Sequence, residues 1–125
     1  HRIWHKSRDS GWLGTGVAQE GAIYACNMSG VLSCIDVQTG ETLWKERSGG
    51  GDTWSSITQT GDGRMFLLTK SGTTAVFQPD AKGQKQLAEN ALNETTNASV
   101  VVAGNDILVR TDKALWCFSG PSIEN

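Results

Sequence analysis

Short apolar stretches recur along the chain, and each is followed by a turn and a second apolar run. The stretches that begin at Ile23, Met65 and Ile107 each contain four strand-like residues. The second runs are rich in β-branched and aromatic residues, which favour strands, and they cover residues 31–37, 73–78 and 114–119. Because the pattern repeats after about 42 residues, each copy is predicted to contain one β-hairpin.

Further strand candidates flank each predicted hairpin. The upstream segments end in turns that contain glycine, which readily adopts the positive φ of tight turns; they are residues 14–19, 55–60 and 98–103. Downstream, residues 41–47 and 84–89 each follow a glycine and form a fourth strand candidate. No window has the apolar spacing of a good amphipathic helix. The unit is therefore predicted to be a four-stranded antiparallel meander, and the chain to be all-β.

Four strands in a repeat of about 42 residues are typical of a propeller blade. The sequence predicts one β-propeller segment over residues 1–125, with blades at about 12–47, 54–90 and 97–119. The last blade is expected to lack its outer strand. Residues 2–8 are predicted to be an outer strand of a neighbouring or closing blade. Since such an open arc would expose unpaired strand edges, we expect the chain to act together with a partner.

One stretch has a specific spacing of aspartate, threonine-glycine and tryptophan. The carboxylate of Asp36 can accept hydrogen bonds from the turn at Thr39 and Gly40, and the indole of Trp44 can lie against the neighbouring blade. This stretch resembles the tryptophan-docking motif of pyrroloquinoline-quinone (PQQ)-type β-propeller repeats, and the resemblance covers about residues 2–119. The second repeat departs from the pattern: its turn carries an extra residue, and Leu87 is expected in place of the tryptophan.

The resemblance implies a β-propeller but leaves the function open, because one fold serves many functions. Quinoprotein dehydrogenases of the family bind PQQ with a calcium ion held by Glu, Asn and Asp, and they use a catalytic Asp. No such set is recognisable here, so we expect no catalytic, cofactor-binding or metal-binding residues. Other members are outer-membrane-assembly lipoproteins. We therefore expect a non-catalytic scaffold or protein-interaction module from a larger, exported or periplasmic bacterial protein. The alternative is a part of a PQQ-dependent dehydrogenase whose ligands lie outside this chain.

Three side chains are candidates for a partner or ligand surface. Trp12 and Trp54 lie one repeat apart and are expected near a face of the ring, where they could contact a partner or a sugar or pack at the channel mouth. Arg110 takes the position of the apolar Cys26 and Leu68, which is consistent with a buried ion pair, a channel lining or a surface site. Binding of a glycan or small ligand at the ring face is therefore a further alternative.

The positions of the cysteines and histidines in the sequence indicate structural rather than catalytic or metal-binding roles. Cys34 and Cys117 occupy equivalent repeat positions and are expected to be small core residues. Cys26 and Cys34 lie on the two arms of one predicted hairpin, so a disulfide between them depends on the strand register. His1 and His5 are expected to face solvent rather than to bind a metal ion.

Composition and charge limit the classes of partner that the chain is expected to bind. The chain has 125 residues, 38% of them hydrophobic, and a net charge of −2. This is enough for one hydrophobic core but no more than one domain. No apolar run approaches the roughly 20 residues that span a bilayer, and no basic patch favours nucleic acid. The expected partners are other proteins or further blades of a parent chain. Two copies could also close a six-bladed ring, with residues 2–8 of one copy completing the last blade of the other.

Overall fold

The structure is a computed structural model that describes residues 1–8 and 13–120. Eleven β-strands lie within these ranges. They are β1 (Val17–Gln19), β2 (Ala22–Cys26), β3 (Val31–Asp36), β4 (Thr42–Arg47), β5 (Thr58–Gln59), β6 (Met65–Leu68), β7 (Thr73–Gln78), β8 (Lys85–Ala91), β9 (Val101–Ala103), β10 (Asp106–Arg110) and β11 (Leu115–Ser119). No helix that could cross a membrane is found in the described part of the chain.

The strands form three antiparallel sheets in chain order, which we call blades 1, 2 and 3. Blade 1 contains β1 to β4 and blade 2 contains β5 to β8, each strand pairing with the next. Within the described residues, blade 3 has three strands, β9 to β11. The predicted all-β architecture of repeated four-stranded blades, with the outer strand missing from the last blade, is therefore confirmed.

The inner strands β6 and β7 of blade 2 are buried on both faces because their side chains alternate between two cores. Met65 and Leu67 of β6 belong to a core shared with blade 1, whereas Phe66 and Leu68 belong to a core shared with blade 3. The first core also contains Ala22, Tyr24, Cys26, Leu32, Cys34, Ile57 and Phe77. The second also contains Val76, Val100 and Val109. This two-sided burial explains the unbroken apolar run of β6, since successive strand residues point to opposite faces.

Two glycines at equivalent positions allow the connection to the next blade to pass close to a hairpin turn. Gly30 lies between β2 and β3 with φ +78, and a Cβ atom there would come within 2.2 Å of the carbonyl oxygen of Gly51. Gly72 lies between β6 and β7 with φ +85, and its Cβ would come within 2.1 Å of the carbonyl oxygen of Glu94. Any side chain would therefore displace the segment that links one blade to the next.

The pairing of the outer strands corrects the alignment of the second repeat. In blade 1, Trp44 lies opposite Cys34 and a bulge follows. In blade 2, the equivalent pair is Val76 with Ala88, and Leu87 is the bulged residue. The turn is also longer by two residues, because six residues separate Ile35 from its partner Thr42 and eight separate Phe77 from Gln86. Ala88, not Leu87, therefore takes the position of Trp44.

The register also separates the two cysteines of the first hairpin. Cys26 pairs with Leu32, whereas Cys34 pairs with Tyr24. All three cysteines are free thiols. Burial raises the pKa of Cys26 to about 12 and also raises the pKa of Cys34. Cys117 differs from the expectation of a core residue: it is exposed, because no described strand covers its face of blade 3.

Candidate functional site

The side chain of Asp36 organises the turn between β3 and β4. Its Oδ1 accepts hydrogen bonds from the backbone N–H of Gln38 at 2.9 Å and of Thr39 at 2.8 Å, and from the Thr39 hydroxyl at 3.2 Å. The backbone N–H of Thr39, followed by that of Gln38, holds the pKa of Asp36 below its usual range. Gly40 completes the turn by donating its N–H to the carbonyl of Asp36 at 2.9 Å. The turn is thus held by a charged acceptor.

The indole of Trp44 connects blade 1 to the outer turn of blade 2. Its Nε1 donates a hydrogen bond to the carbonyl oxygen of Asp80 at 2.8 Å. The ring packs against the core between the blades, with its centroid 6.3 Å from that of Tyr24 and the planes tilted by 56°. Trp44 therefore satisfies its N–H while it covers the edge of the first core.

A second indole makes the same type of contact one blade earlier. Trp4 Nε1 donates to the carbonyl oxygen of Val37 at 2.8 Å. Its ring lies so close to Gly40 that a Cβ atom there would be 2.7 Å from the ring. Lys6 adds a hydrogen bond from Nζ to the carbonyl oxygen of Gly40 at 3.0 Å. Residues 2–8 are assigned to no strand, but Trp4 contacts the turn of blade 1 as Trp44 contacts the turn of blade 2.

The structure brings Asp36, Thr39 and Gly40 together in one turn, with Trp4 resting on it. Trp44 lies on the next strand but is directed to a different turn, that of blade 2. The contact of Trp4 was not singled out from the sequence, although the similar spacing of Trp4 and Trp44 relative to the repeat was a usable signal. The acceptor at Asp80 had no sequence signal, because it is a backbone carbonyl.

The three candidate surface residues do not form one described site. Trp54 is 42% exposed, and Lys70 Nζ lies 4.4 Å from its ring centroid in a cation–π contact. Arg110 is exposed on β10, which corresponds to the surface alternative. Trp12 lies outside the described residues. His1 and His5 are exposed, as expected.

The face of blade 3 that points away from blade 2 is largely apolar and partly exposed, and it carries one charged side chain; we call it the open face. The alternation of β10 and its pairing with β9 and β11 place five side chains there: Val101, Leu108, Arg110, Leu115 and Cys117. The equivalent positions of blade 1 belong to the first core or pack against it, and three of those in blade 2 (Phe66, Leu68 and Val76) belong to the second core. Leu115 is 67% exposed, whereas Leu32, its counterpart in blade 1, is 0% exposed. A surface of core composition is therefore open to contact.

Blade 3 also has an unpaired edge. β11 pairs with β10 on one side, and no described strand pairs with its other side. The rings of Trp116 and Phe118 stack on this strand with centroids 6.1 Å apart and an interplanar angle of 3°. Glu94 accepts hydrogen bonds from the Thr111 hydroxyl at 2.5 Å and from Trp116 Nε1 at 3.0 Å, and these donors hold its pKa below the usual range. The strand is thus anchored but available for pairing.

A cleft lies between blades 2 and 3. One cavity of about 560 Å³ and a second of about 830 Å³ share part of their lining. The shared residues are Phe66, Val76, Asn90 and Ile107. Leu87 and Ala88 line the larger cavity near the outer strand of blade 2. Residues of the second core line part of this cleft, so open space lies within the contact between blades 2 and 3.

The described residues offer no recognisable catalytic constellation. No group of three or more His, Cys, Asp or Glu side chains that could hold a metal ion occurs among residues 1–8 and 13–120. Asp62 is paired with Arg64 at 2.7 Å on the surface, and its pKa is held low first by the hydroxyl of Thr60 and then by the backbone N–H of Arg64. Asp62 and Arg64 therefore stabilise a surface turn and do not belong to a cluster of reactive side chains.

Comparison with known proteins relates this geometry to a family. A family model described as "Outer membrane protein assembly factor BamB" matches residues 28–121. No match was found among curated proteins.

Solved structures share the fold at low sequence identity. BamB from Moraxella catarrhalis is 20% identical with a TM-score of 0.62, over 85% of this chain and 31% of that one. The WD40 β-propeller domain of Doa1 is 18% identical with a TM-score of 0.68, over 86% of this chain and 36% of that one. Quinohemoprotein alcohol dehydrogenase from Comamonas testosteroni is 15% identical with a TM-score of 0.61, over 77% of this chain and 16% of that one.

These likenesses show the propeller fold, and the match spans about a third of the BamB and Doa1 chains. The family model covers most of the described blades, from the turn after β2 through β11. Together with the repeated four-stranded sheets, this match shows that the chain belongs to the BamB-like family of PQQ-type β-propeller repeat proteins.

Proposed function

We propose that this chain is a non-catalytic β-propeller module that binds other proteins, or further blades of its own parent chain, as an assembly scaffold. The observation that carries the proposal is the open face of blade 3. Val101, Leu115 and Cys117 are exposed there, whereas their counterparts in blade 1 belong to the first core or pack against it. Because exposed contiguous apolar surface marks interaction sites, this face is the main candidate for a contact.

The free edge of β11 supports the same role. In blades 1 and 2 the third strand is covered by β4 and β8, respectively, whereas β11 has no described neighbour on that side. An added strand would receive backbone hydrogen bonds from this edge. The open face and the free edge adjoin, so one partner could cover both.

The tryptophan contacts suggest what an added strand could be. We propose that Asp36, Thr39, Gly40, Trp44 and Trp4 form the docking elements between blades. Because Trp4 rests on the turn of blade 1, residues 2–8 then represent the outer strand of a preceding blade. In a homodimer, residues 2–8 of each copy would complete blade 3 of the other, which would close a six-bladed ring with two-fold symmetry.

The proposed location and chemistry follow from the family. The matching model and one structural neighbour carry the name of an outer membrane assembly factor. We extend from this an exported, periplasmic location and an assembly role. The proposal requires no PQQ, calcium ion or other cofactor, and it places Trp54 and Arg110 on protein-contact surfaces rather than in a catalytic centre.

Light scattering during size exclusion tests the proposal. We expect the 125-residue chain to elute with twice the mass of one copy, and Leu115→Lys on the open face to elute as one copy. Leu87→Lys is the matched control, since Leu87 is 48% exposed but lies in the cleft on the other side of blade 3. A wild-type chain that is monomeric at all concentrations would contradict the homodimer. Equal effects of the two substitutions would contradict the role of the open face.

A further inference from the structure

Hydroxyl side chains connect the inner ends of successive blades. The backbone N–H of Thr15, in blade 1, donates a hydrogen bond to Ser56 Oγ of blade 2 at 2.9 Å. The backbone N–H of Ser56 donates in turn to Ser99 Oγ of blade 3 at 2.8 Å. Each of these three residues lies two positions before the first strand of its blade, which is β1, β5 or β9. Both interfaces therefore contain the same hydrogen bond at the same place, directed from one blade to the next.

The two ends of this series of hydrogen bonds are unpaired and complementary. Thr15 is exposed, and nothing in the described part of the chain bonds to its hydroxyl. Ser99 is half-buried, and no acceptor among residues 1–8 and 13–120 receives its backbone N–H. Blade 1 therefore presents the acceptor, and blade 3 the donor, of the hydrogen bond that joins the other blades.

The outer end of blade 1 has a matching feature. Trp44, on the outer strand of blade 1, donates its indole N–H to a backbone carbonyl in the turn of blade 2. Trp4 donates in the same way to a carbonyl in the turn of blade 1, although the described strands form no blade before blade 1. Residues 2–8 therefore lie where the outer strand of a preceding blade would lie. β11 of blade 3 is the third strand that has no described outer neighbour.

We propose that blade 3 of one copy docks against blade 1 of a second copy, with the Ser99 N–H donating to the Thr15 hydroxyl of that copy. The proposal rests on the proposed function and identifies the surface of the partner that covers the open face. Apolar side chains meet in the middle of the contact. Leu115 lies on the open face, and strand alternation places Ala18 and Ile23 on the face of blade 1 that points away from the first core. This contact is head-to-tail, so it occurs twice when two copies close a ring.

Light scattering over a concentration series measures the role of the Thr15 hydroxyl. Thr15→Val keeps the shape of the side chain but removes the acceptor, whereas Thr15→Ser keeps the hydroxyl. We expect Thr15→Val to raise the dissociation constant of the two-copy assembly at least about tenfold, because the contact occurs twice. Thr15→Ser should remain within about twofold of wild type.

The same two substitutions in the single-copy Leu115→Lys variant separate docking from folding. The free energy of unfolding of that variant should not change, because the Thr15 hydroxyl has no partner in the described part of one copy. Urea denaturation measures it. A loss of single-copy stability with Thr15→Val that Thr15→Ser restores would show that the hydroxyl acts within one copy, and it would overturn the proposal.

Amide hydrogen exchange locates the contact at Ser99. We expect its N–H to exchange slowly in the wild-type assembly and rapidly in Leu115→Lys. The N–H of Ser56 is bonded within one copy, so it is the internal control and should be protected in both. Protection of Ser99 in the single copy would reveal an acceptor within the chain and would overturn the proposal.

The outcomes distinguish this docking from the scaffold role. A two-copy assembly that Thr15→Val does not weaken would overturn the docking of Ser99 on Thr15 and leave the scaffold role in place. A chain that remains a single copy at all concentrations would contradict both the homodimer and this docking.

Discussion

At the scale of single residues, charge and burial set opposite pKa shifts that can be tested separately. Asp36 is surrounded by donors, so its charged form is favoured in the folded chain. Cys26 is buried among apolar side chains, so its neutral form is favoured. The carboxyl group of Asp36 therefore makes the free energy of unfolding depend on pH in the acid range, and the thiol of Cys26 makes it depend on pH in the alkaline range.

Stability in acid should depend on Asp36. Its folded pKa is below the unfolded value of about 3.9, so its contribution is present above that value and is lost as pH falls through the folded pKa. We expect Asp36→Asn to lower the free energy of unfolding at pH 7 and to make less difference near pH 3. Urea denaturation at both pH values measures this. Asp52→Asn, at an exposed aspartate, is the control, and the same pH dependence in both variants would contradict the prediction.

Thiol reactivity should follow burial. Cys117 is exposed, whereas Cys26 and Cys34 are buried and have raised pKa values, so they form less thiolate. In the Leu115→Lys variant, whose open face stays uncovered, we expect iodoacetamide at pH 8 to label one thiol in the folded chain and all three after unfolding. Mass spectrometry counts the labels. Adding Cys117→Ser to the Leu115→Lys variant should leave the folded chain without any label. Rapid labelling of Cys26 in the folded chain would show that the first core is open.

At the scale of elements, indole contacts and strand register determine how one blade meets the next. Trp44 closes the interface between blades 1 and 2, whereas Ala88 leaves the next interface open. The two interfaces have similar inner cores, since both contain apolar residues of β6 and β7. The difference between a closed and an open interface therefore depends on the outer strand.

Loss of the Trp44 ring should destabilise the chain. Trp44→Ala removes a partly buried aromatic side chain and leaves the Asp80 carbonyl without its donor, so we expect a loss of about 2–3 kcal/mol. Trp44→Phe keeps a ring and should cost about 1 kcal/mol. Trp54→Ala, at a more exposed indole, should cost at most about 1 kcal/mol. Urea denaturation ranks the three variants; a Trp44→Ala cost no larger than that of Trp54→Ala would refute the bridging role.

The strands could be predicted from the sequence because β-branched and aromatic runs alternate with glycine turns at a constant period. The register of β8 could not, because its turn is longer by two residues than that of blade 1, and this shifts the pairing without changing the apolar pattern. The exposure of Cys117 could not be predicted either. Its repeat position matches that of the buried Cys34, and only the absence of a covering sheet in the described chain distinguishes the two.

At the scale of the whole molecule, burial is greatest in the inner strands of the middle blade and least in the outer strand β8 and in the last strand β11. β6 is buried at every position, whereas β11 is exposed at every position. β6 and β7 of blade 2 are therefore the strands that both neighbouring blades protect. Local opening should begin at blade 3 and reach blade 2 last.

Hydrogen exchange should follow this gradient. We expect the paired amides of β6 and β7 to exchange slowest and those of β11 to exchange fastest among the paired strands, because solvent reaches β11 from its open face and free edge. NMR exchange on Leu115→Lys gives the profile for a single copy. Comparison with wild type shows whether a second copy protects β11. Equal protection of β6 and β11 in the single-copy variant would contradict the gradient.

A redox assay tests the whole molecule for catalysis. We expect no alcohol-dependent dye reduction when the chain is supplied with PQQ and calcium ions, as the proposed non-catalytic role requires. A quinoprotein alcohol dehydrogenase treated in parallel is the positive control. Dye reduction that depends on PQQ and on this chain would overturn the non-catalytic proposal.

The two-sided burial of β6 also affects how its alignment is specified. In a sheet with one solvent-exposed face, a shift of the strand pairing by one residue is prevented because it would expose the apolar side chains. In β6, such a slip would only exchange the residues of the two cores, since both faces are apolar. The turn after β6 therefore has to hold the alignment. Thr69 does so through hydrogen bonds of its backbone N–H and hydroxyl with Thr73, and Gly72 supplies the positive φ. An inserted residue in this turn would be more damaging than an apolar replacement within the strand.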